Sequence, residues 1–527
     1  MQTAETTTKK KGLFERFIKG IEVVGNKIPH PFTMFTILAV FILALSMLLS
    51  KAGVSVTYMA ASKVAGEASI ETTVIVRNLL SYEGIREILA GFVSTYVNFA
   101  PLGIIVIMMI GIGMIEQTGF ISALMRKTIL GAPDFMVTAV LAFVGINSNL
   151  ASDAGTIFSA AIGGTLFKAL GRNPVVGVIT GFVAASGGFT ANLFIAGTDG
   201  LLAGITESAA KSMNIDAPTH PLINWYFMIV ATFVLTLVTT FVTEKFISKY
   251  LEEKRTNKKD KSGLQEHALT EDEKRGLRWA GIASVAFIIV ILALTLPQGS
   301  LFRNEEGAIL PKSPLISSMV PLLFFLFVVV GLAYGIASKV VKSERDIPKL
   351  MQKSLAGNLS FLVVALPAAL FIDLFNKSNI ATILAVSGAG ALKSANLHPT
   401  LLMIILIFVT AFINLCMTSG PSKWLILAPI FVPIFSMLGL SPAVTQLCVR
   451  IGDSATNIIS PILIYIPAII GFMEQYKEEG DDRVIGIGSV ISLTMPYSIA
   501  YMISLILMLV VWYFLGAPIG PGTYITM

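Results

Sequence analysis

Apolar runs of about 20 residues, the length a helix needs to cross a hydrocarbon core, recur along this chain between short polar segments. PFTMFTILAVFILALSMLLS predicts a span over about 31–52, and GLRWAGIASVAFIIVILALTL predicts one over about 279–297. Further runs place spans near 93–115, 314–337 and 485–514. About nine spans are expected in all, an odd number that would put the termini on opposite sides. The first run begins some 30 residues in and lacks a small-residue cleavage site, so it reads as a span and not as a cleaved signal peptide. The pattern is that of an all-α polytopic membrane protein.

The polar segments order the spans. Residues 1–30 carry Lys9, Lys10, Lys11, Arg16, Lys19 and Lys27 and read as a cytoplasmic segment with a short amphipathic helix. A first membrane half covers 31–243. Within it, 53–92 balances its charges and reads as an external loop, and Arg126–Lys127 returns the chain inside. The stretch 244–278 holds ten Lys or Arg and is the strongest cytoplasmic marker. The segment 338–353 is a second such marker. The second membrane half runs over 279–514, and 515–527 is a tail.

Two regions break the hydropathy pattern, 145–200 and 412–467. Each opens on a span that frays into small and polar residues, GINSNLASDAGTIFSA in one and AFINLCMTSGPSKWLILAPIFVP in the other. Each closes on a second polar break, GGFTANLFIAGTD and GDSATNIISPILI. Asn149 matches Asn414, Gly155 matches Gly420, Pro174 matches Pro442, Gly187 matches Gly452 and Asn192 matches Asn457, at separations of 265 to 268 residues throughout. This is an internal repeat. An odd number of spans between the copies would insert them inverted, and inverted repeats with broken helices near mid-membrane are the pattern of secondary transporters. Non-helical backbone at that depth must be covered by protein or line a wet cavity.

Composition agrees. Hydrophobic residues make up 54% and charged residues 13%, where a soluble domain has about 25% charged; the mean hydropathy is +0.79. The net charge of +6 belongs to the loops between spans and does not call for a nucleic-acid partner. Cys416 and Cys448 lie in apolar surroundings, which excludes a disulfide framework. His30, His220, His267 and His398 are scattered and form no metal-ligand pair. An intramembrane enzyme would need paired carboxylates, a His–metal set or a Ser/Lys pair; only Asp153 and Asp199 come near, on separate breaks, so no enzymatic activity and no organic cofactor are expected. A channel could use similar broken helices, and trans-stimulated counterflow separates it from a carrier.

Charges inside a membrane mark function or a structural lock. Arg450 and Asp453, at i and i+3, can share a helix face and pair; they lock two helices, or the guanidinium grips a ligand carboxylate while Asp453 orients it or takes a proton. Asp199, at the end of the first copy, is a ligand group or a cap at the membrane surface. Asp153 is a cap or an ion ligand. Trp424 stacks on an aromatic ligand or anchors at the interface, and Lys423 beside it reads as a cation snorkelling from a hairpin tip. Ser148 with Asn149, and Thr456 with Asn457, offer hard oxygens near freed carbonyls, which suits Na⁺. Pro421, Pro429, Pro433, Pro442 and Pro461 mark breaks or kinks.

WLILAPIFVPIF, RIGDSATNIISPIL, SGGFTANLFIAGTDGLLAGIT and NWYFMIVATFVLTLVTTFVTEK, with GNKIPHPFTMF near the start, resemble the AbgT family. Its members are p-aminobenzoyl-glutamate transporters and related antimetabolite exporters of bacteria. The resemblance runs from about residue 20 to the C-terminal GAPIGPG. It implies a homodimer in the bacterial inner membrane, nine transmembrane helices and two re-entrant helical hairpins per protomer, in an inner core and an outer frame. It also implies transport roles for Asp199, Asn414, Trp424, Pro442, Arg450, Asp453 and Pro461. One departure is the hairpin tip: a serine of a relative aligns with Pro421, and Ser422 is the nearest hydroxyl. The expected activity is ion-coupled secondary transport of p-aminobenzoyl-glutamate, with Na⁺ or H⁺ as the coupling ion. The alternative is proton-driven export of sulfonamide-type antimetabolites.

Overall fold

The computed structural model describes residues 29–60, 70–188, 191–251, 267–310, 313–357, 359–477 and 485–527. The amphipathic helix expected before residue 30 and residues 252–266 of the basic 244–278 loop lie outside the described residues; the described ends of that segment are largely helical, over Thr243–Ile247, Ser248–Tyr250 and from Glu271 onward. Among those described, nine helices are long and apolar enough to cross a membrane.

Several spans form where the apolar runs predicted them: Pro31–Lys51, Glu271–Ala293, Met319–Ala337 and Ile487–Leu515. Glu271–Ala293 starts at a capping box, in which Thr270 accepts from the Glu273 amide and Glu273 accepts from the Thr270 amide. Farther along it Ile282, Val285, Ile288 and Ile289 face outward, as lipid-facing positions do.

The expected external loop at 53–92 is more structured than its charge balance suggested. Strands Ser55–Ala60 and Ile70–Ile75 pair antiparallel, with Ser55 opposite Ile75. The β-branched Val, Thr and Ile residues of both strands favour the pleat. Helix Tyr82–Val97 follows, capped by Ser81, and the helix restarts at Ala100–Gln117 after a break at Asn98–Phe99. The span expected near 93–115 therefore straddles a joint, and the apolar helical stretch is 36 residues, Tyr82–Gln117. Farther on, helix Phe120–Leu130 and the stretch Asp134–Leu150 bend by 115° at their break, which contains Pro133 and so cannot carry an unbroken helical ladder.

The repeat is visible as a repeat of elements. In the first copy, Val137–Ile146 tightens into a 3-10 turn at Asn147–Ala151, followed by Ser152–Ala169, Pro174–Gly187 and, after a break, Gly197–Ser212. In the second copy the order is Pro399–Cys416, Gly420–Met437, Pro442–Asn457 and, after a break, Ile466–Gln475. Ser152–Ala169 and Gly420–Met437 are both 18 residues. Pro174 and Pro442 both sit at the first helical position behind a capping Asn173 or Ser441, where the missing proline N–H costs nothing. Pro429 and Pro433, read from sequence as breaks or kinks, lie within the continuous helix Gly420–Met437.

Pro174–Gly187 has 14 residues and Pro442–Asn457 has 16. At 1.5 Å per residue these rise only about 21 and about 24 Å, short of a hydrocarbon core of about 30 Å. Neither helix is long enough to cross such a core by itself, and each is followed by a polar break. Both helices are packed in: Pro174–Gly187 runs along Ser152–Ala169, and Pro442–Asn457 runs along Pro399–Cys416 and against Ile487–Leu515. All 16 residues of Pro442–Asn457 are buried. Helix Ala100–Gln117 packs on Gly197–Ser212 and on Met319–Ala337, joining this core to the outer helices.

Candidate functional site

Pro442–Asn457 is the polar element of the core. Its sequence carries Thr445, Gln446, Arg450, Asp453, Ser454, Thr456 and Asn457, all buried, so the polar face must find protein partners or a ligand. Close approach to Pro399–Cys416 makes this feasible. Gly452 has no side chain in the way: a Cβ there would lie 2.5 Å from the Ile407 carbonyl oxygen.

The partners are not the ones the i, i+3 spacing suggested. Arg450 pairs with Asp199, Nη2 to Oδ1 at 2.5 Å, and Asp453 pairs with Lys423. The four charges form two buried ion pairs that sum to zero and tie three helices together, Gly197–Ser212, Gly420–Met437 and Pro442–Asn457. A helix brings both charges of the 450/453 pair to one face, but each finds its counter-ion on a neighbouring helix. Asp199 is no surface cap. It is buried, and its Oδ2 accepts from the Ala196 amide at 2.7 Å, so it both caps its own helix and holds the guanidinium. Lys423, expected to snorkel, is fully buried; its ammonium donates to Asn414 Oδ1 and to Asp453 Oδ1.

Asn414 organises this corner. It lies in the last turn of Pro399–Cys416, ahead of the extended Met417. Its amide nitrogen is 3.1 Å from the Asp453 carbonyl oxygen, 3.0 Å from Thr456 Oγ1 and 2.9 Å from Asn457 Oδ1. Asn457 in turn donates to Asp453 Oδ2 at 3.2 Å and to the Ser186 carbonyl of the first copy at 3.4 Å. Thr456 and Asn457, read as free oxygens for an ion, are thus engaged with Asn414.

Of the first-copy counterparts, Ser148 and Asn149 sit on the 3-10 turn, and the buried Ser148 hydroxyl has no hydrogen-bond partner among the described residues. Asp153 falls in helix Ser152–Ala169, its side chain outside the described residues. Pro442 starts its helix, and Pro461 lies buried in the break after it.

A narrow cavity opens beside the ion pairs. Trp424, Arg450 and Asp453 line it with Thr198, Gly420 and Pro421. Trp424 is buried and not an interface anchor; its indole N–H donates to Thr206 Oγ1 at 3.0 Å and lies 3.2 Å from the Leu202 carbonyl. Thr206 donates to Gln446 Oε1 at 2.5 Å, and Gln446 Nε2 donates to Asn224 at 3.1 Å. This chain fixes the indole plane at the cavity wall.

Sequence reasoning missed Thr198, Thr206 and Gln446. Thr198 does stand beside Asp199 in the first turn of Gly197–Ser212, just after the first break, and its hydroxyl is buried without a partner among the described residues. Thr206 and Gln446 lie mid-helix, where only their polarity at buried positions could have marked them. Among the described residues no cluster of His, Cys, Asp and Glu could hold a metal ion.

Two copies of a broken-helix hairpin around a cavity lined by buried charge define a multi-pass membrane transporter. The chain matches the family described as "AbgT putative transporter family" over residues 16–527, and it belongs to that family. It is 36% identical over 504 residues to the p-aminobenzoyl-glutamate transport protein of Escherichia coli K12, covering 96% of each chain. The structure of MtrF of Neisseria gonorrhoeae, described with a class of antimetabolite efflux pumps, superposes with a TM-score of 0.88 at 35% identity over 96% of this chain and 100% of that one. The YdaH transporter of Alcanivorax borkumensis gives 0.84 at 30% identity over 94% of this chain and 100% of its own.

Proposed function

We propose that this protein is an ion-coupled secondary transporter of p-aminobenzoyl-glutamate or a closely related aminobenzoyl carboxylate, working as a homodimer in a bacterial inner membrane. The observation that carries the reading is one cavity lined by both Trp424 and Arg450, in a chain 36% identical to the Escherichia coli p-aminobenzoyl-glutamate transport protein. An aminobenzoyl ring suits the face of a fixed indole. A glutamate carboxylate suits a guanidinium, whose fork of donors matches it. Arg450 is held by Asp199 in this state, so an entering carboxylate competes with Asp199 for it, and that exchange links ligand binding to movement of helix Gly197–Ser212.

The likeness to MtrF favours a second reading, export of sulfonamide-type antimetabolites. These share the aminobenzene ring, so Trp424 serves either ligand, while the demand on Arg450 differs. Uptake of labelled p-aminobenzoyl-glutamate into proteoliposomes under separately imposed Na⁺ and H⁺ gradients tests the first reading, wild type beside Asp453→Asn. Accumulation under one gradient, lost in the variant, supports it. No uptake and no counterflow under either gradient overturns it in favour of sulfonamide efflux.

A further inference from the structure

We propose that Lys423 is a tethered cation: its ammonium fills the one-cation cage of the second hairpin, and transport is coupled to H⁺ carried by Lys423 and not to Na⁺. The inference rests on the transporter reading above and concerns how the same site is energised.

The cage is made of hard oxygens. Asn414 Oδ1 and Asp453 Oδ1 converge on the Lys423 ammonium, and carbonyl and carboxylate oxygens of this kind are what Na⁺ takes from a protein. Here a side chain of the protein supplies the positive charge. The position works against local preference. Lys423 lies in the first turn of Gly420–Met437, just after the Ser419 cap, and a cation at a helix N-terminus opposes the helix dipole. Nothing in its own helix favours an ammonium there, so its charge depends on Asp453 and Asn414. A lysine is a compact point charge that can give up its proton when its surroundings change.

Other charges are already spoken for. On the helices packed against Gly420–Met437, Asp199 is held by Arg450, Glu207 and Lys211 pair with each other at 2.5 Å, and Lys393 is exposed. Pro399–Cys416 carries no charge. Among the described residues, Asp453 is the one anion in contact with the Lys423 ammonium.

The geometry also gives the proton a path and a consequence. Asp453 lines the cavity with Gly420 and Pro421, and a Cβ on Gly420 would lie 3.7 Å from Asp453 Oδ2. The cavity therefore borders the pair on its Asp453 side, while the Lys423 ammonium lies behind that carboxylate, away from the cavity wall. With the proton on, Lys423 fastens the tip to Pro399–Cys416 through Asn414 and to Pro442–Asn457 through Asp453. When the ammonium gives its proton to Asp453 and the carboxylic acid passes it on to cavity water, leaving a neutral amine, a carboxylate and a hydrated proton, both ties weaken and the tip is free to move. Uptake of a proton from the opposite side restores them.

The test compares wild type, Lys423→Arg and Lys423→Gln in proteoliposomes, with gradient-driven accumulation normalised to each protein's own p-aminobenzoyl-glutamate counterflow. The expected result is wild-type accumulation under a proton gradient alone. In Lys423→Arg, which cannot release its proton, the normalised accumulation should fall to the level without a gradient. Proton-driven accumulation in Lys423→Arg equal to wild type, or a wild type driven only by Na⁺, overturns the proposal. Absence of wild-type counterflow would count against the substrate reading instead. In that case thermal unfolding in detergent with Na⁺ or choline decides: Na⁺ should stabilise Lys423→Gln, whose cage lacks its cation, and leave wild type unmoved. Equal responses of the two proteins would refute the tethered cation.

Discussion

The two helical hairpins share a backbone plan and divide the chemistry unequally. At the separation that pairs Gly187 with Gly452, the places of Arg450 and Asp453 are taken in the first copy by Ala185 and Gly188. The second copy ties its polar groups into a network of Asn414, Lys423, Asp453, Thr456 and Asn457. In the first copy, the hydroxyls of Ser148 and Ser186 and both ends of the Asn192 amide are buried without partners among the described residues. Its main contribution to the charged centre is Asp199, which lies beyond its break and reaches across to Arg450. A repeat sets where helices break, and the side chains placed at the breaks set what each copy can hold.

The contrast can be attacked first at its ion pairs. Asp199→Ala removes the carboxylate from a buried guanidinium and should cost about 3–5 kcal/mol, read as a lower thermal midpoint in detergent, together with loss of transport. A cost under about 1 kcal/mol would mean the pair does not hold the two copies together. Asn414→Ala removes a donor shared by three acceptors and an acceptor for Lys423, and should cost about 1–3 kcal/mol; denaturant unfolding of the purified protein measures it.

His220 lies outside both hairpins and gives a separate acid response. Burial lowers its pKa from 6.5 to about 4. Its Nε2 is 3.0 Å from the Pro521 carbonyl oxygen and its Nδ1 accepts from the Leu222 amide, so the neutral Nε2–H form satisfies both sides. Below 6.5 the unfolded chain binds a proton that the folded chain refuses, so stability should fall as pH drops from about 6.5 towards about 4. His220→Gln should flatten that slope in a pH series of melting curves, while an unchanged slope would assign it elsewhere.

The smallest effect sharpens the comparison most. Asn192→Leu replaces an amide lacking partners with an apolar group of similar size, and should leave stability within about 0.5 kcal/mol of wild type or raise it. A loss of several times that, or sodium-dependent transport that disappears with the amide, would show that the first copy holds a ligand of its own.

Much of the architecture was legible from the sequence because hydrocarbon is an unforgiving solvent. A span must be long and apolar, so Pro31–Lys51 and Ile487–Leu515 stood where the runs put them. Repeated Pro, Gly and Asn landmarks exposed the two copies, since breaks at membrane depth require such residues. Less legible was the stretch 53–92, whose paired strands lie outside the apolar spans and whose helix from Tyr82 extends a span beyond its expected start, and the helix that continues through Pro429 and Pro433. The charged residues at the centre were also visible: Asp199, Arg450 and Asp453 stand out in apolar surroundings.

Which charge meets which was decided by tertiary structure. Sequence spacing favours Arg450 with Asp453, because a helix brings i and i+3 to one face. The fold sets Asp199 251 residues away against Arg450 and Lys423 30 residues away against Asp453. Local periodicity fixes a residue's side of its own helix. Its partner depends on which other helices pack there, and buried charges take whatever counter-ions that packing brings within reach.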